Sequence, residues 1–190
     1  MKEETTLNAQ ESLTLIMQVI SQTKENLKQH SFIFLLWGWL LSIASIVRFV
    51  FQTETDFKYY FIPFPILALI GIVSTVVFYK RKEQRPPETH LNYFIKRLWL
   101  VMAAGFAVIV FVSVYQNVVS FTYTLILAGV GTFVTGLVMK FNPFLTGGIC
   151  FFISAVCCVF VPDEYKVLIH GGAIIAGYII PGYLLKNSKQ

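Results

Sequence analysis

Long stretches without a charged residue constrain the fold of this chain more than any other feature. The first runs from Ser31 to Val47, and similar apolar stretches recur as far as Leu185. Of the 190 residues, 56% are hydrophobic and 13% are charged, whereas a typical soluble domain has about 25% charged residues. A soluble fold of this size exposes much of its surface and could not hide so much apolar area. The sequence therefore predicts an integral membrane protein.

The apolar stretches have the length of membrane spans, since about 20 apolar residues in a helix cross the hydrocarbon core. The predicted fold class is all-α, a polytopic membrane helix bundle with about six transmembrane helices in residues 31–190. The predicted spans are residues 32–51, 59–79, 98–115, 119–139, 144–161 and 167–185. The count depends on two short turns, at residues 116–118 and 140–143.

Residues 1–30 precede the first span and are predicted to form a cytoplasmic amphipathic helix. Asn8 followed by Glu11 resembles a capping box at its start. Apolar residues then recur at helical spacing, namely Leu13, Ile16, Met17, Ile20 and Leu27. This stripe requires cover, and three candidates stay open: the membrane interface, the inner face of the bundle, or a second copy in a homodimer.

The basic residues predict the orientation, because cytoplasmic loops carry an excess of lysine and arginine. Twelve of the 15 lie on one side if the spans alternate, and three lie on the other. The larger group is Lys2, Lys24, Lys28, Lys80, Arg81, Lys82, Arg85, Lys96, Arg97, Lys140, Lys186 and Lys189. Both termini are therefore expected on the cytoplasmic side.

The predicted spans contain few residues that carry chemistry. Aspartate, glutamate and lysine do not occur in their middles, although such residues mark ion paths in transporters. Arg48, late in the first span, is expected to snorkel outwards. His170, Gly171 and Gly172 open the sixth span; they either serve helix packing or form a solute contact or pH-sensitive contact.

Motifs of enzymes and metal sites are not found in the sequence. It has no glycine-rich phosphate loop, no HExxH and no GxSxG, so no catalytic, cofactor-binding or metal-binding residue is predicted. The three cysteines, Cys150, Cys157 and Cys158, lie in one apolar stretch and are interpreted as packing residues. We expect a protein that is not an enzyme.

A basic segment at residues 80–97 follows the second span. Lys80, Arg81, Lys82 and Arg85 are predicted to contact anionic lipids, or to dock a cytoplasmic protein together with the N-terminal helix. Direct binding of nucleic acid is not expected, because the segment is short and its aromatic residues belong to a juxtamembrane helix.

Three parts of the chain resemble a group of small, multi-spanning bacterial inner-membrane proteins without an established activity. They are Ser31-Phe32-Ile33-Phe34-Leu35-Leu36-Trp37-Gly38-Trp39 with the helix before it, Lys140-Phe141-Asn142-Pro143-Phe144 with Gly147-Gly148, and Gly177-Tyr178-Ile179-Ile180-Pro181-Gly182-Tyr183-Leu184-Leu185-Lys186. The resemblance implies a multi-pass protein of the bacterial inner membrane and offers no site residues.

Two functions are compatible with these observations. The leading hypothesis is a non-enzymatic sensor, scaffold or accessory module that acts through cytoplasmic protein contacts at residues 9–29 and 80–97. The alternative is a small transporter or channel for a neutral or apolar solute, working as a homodimer, because the fourth to sixth spans are rich in glycine.

Overall fold

Helices make up nearly all of the computed structural model. It describes the backbone of residues 9–54, 59–82 and 90–188, and the side chains of residues 30–54, 59–81 and 90–188. The helices are α1 (Ala9–Thr53), α2 (Pro63–Lys82), α3 (His90–Tyr115), α4 (Phe121–Met139), α5 (Asn142–Cys157), α6 (Asp163–Ile174), a π-helical segment (Ile175–Ile179) and α7 (Ile180–Asn187). The predicted all-α fold is confirmed.

The N-terminal helix and the first span form one continuous helix, α1, of 45 residues. Neither glycine nor proline occurs between Ala9 and Trp37, so nothing in the sequence ends the helix at the membrane boundary. The expected division at residue 30 is therefore not a break in secondary structure. Asn8 and the side chains of the apolar stripe lie outside the described residues, and the cover of that stripe stays a prediction.

Both short turns on which the span count depended are present. Asn117 adopts a positive φ of 54° between α3 and α4, and Lys140 one of 51° between α4 and α5. The amide of Phe141 donates to the Gly136 carbonyl over 3.0 Å, which satisfies one of the carbonyls left free at the end of α4. Each turn reverses the chain within a few residues.

Five stretches of the described chain are long and apolar enough to cross a membrane: His30–Thr53, Pro63–Arg81, His90–Tyr115, Phe121–Met139 and Asp163–Asn187. The fifth predicted span is shorter than expected, because α5 ends at Cys157 after 16 residues. Such a helix is about 24 Å long, against about 30 Å of hydrocarbon core. The apolar residues 158–161, predicted as helix, form the turn that leads to Pro162 and α6.

Neighbouring helices run antiparallel, and α1 lies at the centre of the contacts. Phe32 stacks on Phe78 of α2, whereas Arg48, nearer the end of α1, lies over Phe64 at the start of α2. Ser45 of α1 meets His170 of α6. We call the end of the bundle at which α1 finishes and α2, α4 and α6 begin the Thr53 end.

Aromatic rings fill the core between α1, α3, α5 and the π-helical segment. Phe34 lies 4.2 Å from Phe144 and 5.6 Å from Tyr178, measured between ring centroids, and Trp99 lies 5.4 Å from Phe34. Most of α2 and α3 lies at the periphery, where long apolar side chains stay exposed. Lipid is the solvent that such a surface requires.

The last span contains a π-helical segment immediately before Pro181. The amide of Ile180 donates to the Ile175 carbonyl, five residues back. Proline has no amide hydrogen, so an α-helix would leave the Gly177 carbonyl without its usual donor. A π-helical turn in a helix is often found at a functional position, and here it accommodates the proline without ending the span.

Candidate functional site

A hydrogen-bonded serine–histidine pair lies in the apolar interior between α1 and α6. Ser45 Oγ is 3.0 Å from His170 Nδ1, and both side chains are buried. Gly171 brings the helices together, since a Cβ at this position would lie 3.1 Å from Cβ of Ser45. The structure thus pairs His170, which the sequence singled out, with a serine that it did not.

The hydrogen bonds around Ser45 define the proton positions. Its Oγ also lies 2.8 Å from the Leu41 carbonyl oxygen, which can only accept a hydrogen bond. The hydroxyl has one hydrogen and donates it to Leu41, so Nδ1 of His170 must be the donor towards Ser45. Nδ1 therefore carries a hydrogen, and a neutral His170 has its acceptor nitrogen at Nε2.

Aromatic rings surround the pair at the Thr53 end. The centroid of the His170 ring lies 4.9 Å from that of Phe121 and 5.7 Å from that of Phe64. Arg48 lies on the other side of the same rings, with its Cζ 4.8 Å from the centroid of Phe121 and 5.3 Å from that of Tyr60. The starts of α2 and α4 thus supply an aromatic lining for two basic side chains.

Arg48 has no acidic partner in the part of the chain that the structure describes. The ion pair found there joins Lys166 to Asp163. Nε of Arg48 and Oε1 of Gln52 are both buried without a hydrogen-bond partner. Arg48 was expected to extend outwards to the membrane surface. In the structure its guanidinium lies against rings at the starts of α2 and α4.

A small groove lies beside the Ser45–His170 pair, between α1 and α6. It has a volume of about 90 Å³ and is lined by Ser42, Ser45, Ile46, Val167, Leu168, Gly171, Gly172 and Ile175. Gly172 faces open space, since a Cβ added there would meet no atom within 4 Å. The exposed side chains of Ile46 and Ile175 place the groove on the lipid-facing surface. His170 is not part of its lining.

Gly177 and Gly147 allow close contact between α5 and the π-helical segment. A Cβ at Gly177 would lie 2.2 Å from the ring of Phe151, and one at Gly147 would lie 2.9 Å from the Gly177 carbonyl oxygen. Glycine at both positions is therefore required for this packing.

The described residues at the start of the predicted basic segment lie at the opposite end of the bundle. Lys80 and Arg81 are exposed at the end of α2, far along that helix from Phe64. Arg85 and the side chain of Lys82 lie outside the described residues. The structure therefore does not bring Lys80 or Arg81 together with His170 and the two glycines.

Cysteines and acidic residues form no cluster around the pair in the described segments. Cys150, Cys157 and Cys158 are free thiols, and no group of three or more histidine, cysteine or acidic residues there could hold a metal ion. Serine and histidine begin many nucleophilic relays, but Ser45 donates to its own helix and no described carboxylate orients His170. The arrangement suits a structural or sensing contact.

The fold and the lipid-facing surface together define the class: this is an all-helical integral membrane protein with several membrane-crossing helices. Comparison with protein-family models, with curated proteins and with solved structures finds no match. The function is therefore argued from the site itself.

Proposed function

We infer that this protein is a non-enzymatic membrane module, a sensor, scaffold or accessory subunit that acts through cytoplasmic protein contacts. The continuity of α1 is the observation that carries this proposal. The same helix holds Ser45 and Arg48 near the Thr53 end and continues through residues 9–29 beyond the span that begins at His30. A displacement at one end is transmitted to the other by a single rigid element.

The dimensions of α1 support this role. A helix of 45 residues is about 68 Å long, more than twice the roughly 30 Å of the hydrocarbon core. Within the membrane it packs against α2, α6, the π-helical segment and α7. Outside the membrane, residues 9–29 supply about 30 Å of helix for binding a partner.

The cytoplasmic location of residues 9–29 and of both termini, in a bacterial inner membrane, forms part of the proposal. This orientation rests on the excess of lysine and arginine on the side of residues 80–97, since cytoplasmic loops carry such an excess. Reporters at the C-terminus test it: a green fluorescent protein should fluoresce, and an alkaline phosphatase should be inactive. The reverse pattern would contradict the orientation.

Site-specific photocrosslinking in intact cells tests the function. A photoreactive residue at Gln18, Gln22 or Lys80 should yield a discrete adduct with a cytoplasmic protein. Tyr115, 82% exposed at the Thr53 end, is the matched control position and should not yield it. If the probes at Gln18, Gln22 and Lys80 give no adduct beyond those obtained at Tyr115, the module does not act through this surface.

A small transporter or channel for a neutral or apolar solute is the second candidate, and the groove at Gly172 is the observation that favours it. Its volume of about 90 Å³ holds about three water molecules, well below the roughly 300 Å³ at which ligand pockets begin. Gly172→Leu would fill the groove. If the photocrosslinked adducts of this variant are unchanged, the result supports the membrane module. Loss of solute flux in proteoliposomes would favour the transporter.

A further inference from the structure

The guanidinium of Arg48 requires a counter-charge that the described chain does not provide. Arginine stays protonated in proteins, and an unpaired charge in a low-dielectric interior is costly. The three rings over which Arg48 lies, those of Tyr60, Phe64 and Phe121, offset part of this cost through cation–π attraction. Rings provide no hydrogen-bond acceptor of the strength that a guanidinium binds.

Gln52 adds a second polar group to the same face of α1. It lies four residues after Arg48, one helical turn closer to Thr53, and its Oε1 is buried without a partner, as is Nε of Arg48. An amide offers both donors and an acceptor. Together the two side chains match a ligand that carries several oxygen acceptors and also a hydroxyl or ammonium donor.

The position of Arg48 indicates where this ligand comes from. Arg48 and Gln52 are half-buried, so part of each side chain is accessible. Arg48 lies five residues before the end of α1, a depth of about 8 Å. A long side chain at this depth reaches the headgroup level.

We propose that Arg48 and Gln52 form a binding site for a phosphate oxyanion at the Thr53 end of the bundle, with the phosphate of a phospholipid as its ligand. The planar guanidinium binds phosphate through two parallel N–H···O bonds, and the amide of Gln52 contacts the headgroup. This site is independent of the cytoplasmic contacts of the proposed function, because it lies at the opposite end of α1.

Titration of the purified full-length protein in an uncharged detergent tests the site. Dioleoyl phosphatidylglycerol is added in mixed micelles, and the midpoint of thermal unfolding is followed by tryptophan fluorescence. Dioleoylglycerol, which has the same acyl chains without the phosphate, serves as the ligand control. Sodium phosphate in place of the lipid separates a soluble oxyanion from a headgroup.

Arg97→Gln is the matched control for Arg48→Gln, since Arg97 also lies over a ring, that of Tyr93 at 5.1 Å, but near the opposite end of the bundle. We expect the lipid to raise the unfolding midpoint of wild type and Arg97→Gln alike. Arg48→Gln should weaken the apparent affinity at least tenfold, and Gln52→Leu several-fold. Gln52→Leu retains the charge and keeps the test decisive if Arg48→Gln does not fold.

Three outcomes would overturn the proposal. They are equal stabilisation by dioleoylglycerol, equal affinities of Arg48→Gln and Arg97→Gln, and a more than tenfold gain in affinity in Asp56→Asn. The last would mean that Asp56, outside the described residues, already provides the counter-charge. Stabilisation by sodium phosphate that depends on Arg48 would support the oxyanion site with a soluble source.

Discussion

Ser45 shows how a single hydroxyl specifies a helix interface in an apolar interior. It accepts a hydrogen bond from His170 and donates one to Leu41, so that its hydroxyl is used both as acceptor and as donor. In a membrane an unsatisfied polar group has no water to replace its partner. The pair therefore defines the register of α1 against α6 more strictly than apolar packing does.

A double-mutant cycle measures this contribution. Ser45→Ala, His170→Leu and the double variant should give a coupling of about 0.6 kcal/mol and at most about 1.7 kcal/mol, the average and the maximum measured for hydrogen bonds between membrane helices. The readout is the free energy of unfolding in mixed micelles with dodecyl sulfate. Thr53→Ala, which removes an exposed hydroxyl bonded to the Phe49 carbonyl, is the control. Coupling near zero would show that the pair adds nothing beyond packing.

Two glycines of the last span should respond oppositely to the same change. Gly177→Ala places a methyl group 2.2 Å from the ring of Phe151, which is 0% exposed and cannot move aside; overpacking of this kind costs about 1–3 kcal/mol. Gly172→Ala meets no atom within 4 Å and should stay within about 0.5 kcal/mol of wild type. Equal unfolding midpoints for the two variants would contradict this packing.

At the scale of the element, α1 differs most from what the sequence indicated. The amphipathic pattern of residues 9–29 is also compatible with a helix lying flat on the membrane surface. The structure shows instead an uninterrupted helix from Ala9 to Thr53, because no residue at the junction favours a break. The same pattern then belongs to a rod that extends from the bundle.

A distance measurement between spin labels at Gln18 and Val50 distinguishes the two geometries. Thirty-two residues of continuous helix separate the two Cα atoms by about 48 Å, whereas a right-angle bend near His30 would give about 35 Å. The three native cysteines are first replaced by alanine. Insertion of Gly-Pro after Gln29 is the control and should shorten and broaden the distribution. A wild-type distance near the shorter value would contradict the rod.

Two tryptophans make interhelical hydrogen bonds that only the packing of the helices explains. The indole of Trp37 donates to Thr75 of α2 over 3.2 Å, and that of Trp99 to Thr135 of α4 over 3.1 Å. Each threonine in turn donates to the carbonyl four residues before it. These bonds join neighbouring helices inside the bundle. In a soluble protein the hydrophobic effect would hold such helices together, but between helices in lipid it is absent.

The whole molecule has an asymmetric cross-section. The last span is more than half buried, whereas α3 is almost entirely exposed along its apolar length. The peripheral helices are thus held more by lipid than by protein, and their outward-facing positions should tolerate any apolar residue but no charge.

Lysine substitutions at two exposed positions of α3 test this surface. Val108 lies in the middle of the helix and is 61% exposed, whereas Tyr115 ends it and is 82% exposed. Val108→Lys should reduce membrane insertion, at a cost of about 2.5–3.5 kcal/mol, and Tyr115→Lys should not, because its ammonium reaches water. The measurement is the fraction of protein that stays in membranes after an alkaline wash. Equal retention would place α3 away from lipid.

The sequence by itself determined the class of protein, most of the helices and both short turns, because hydrophobic length and turn residues act locally. It also singled out His170, Gly171 and Gly172 by their place at the start of a span. The partner Ser45, the aromatic lining of Arg48 and the role of Gly177 against Phe151 were decided by the tertiary structure. Their contacts join different helices, and no local sequence pattern encodes which residues of two helices meet.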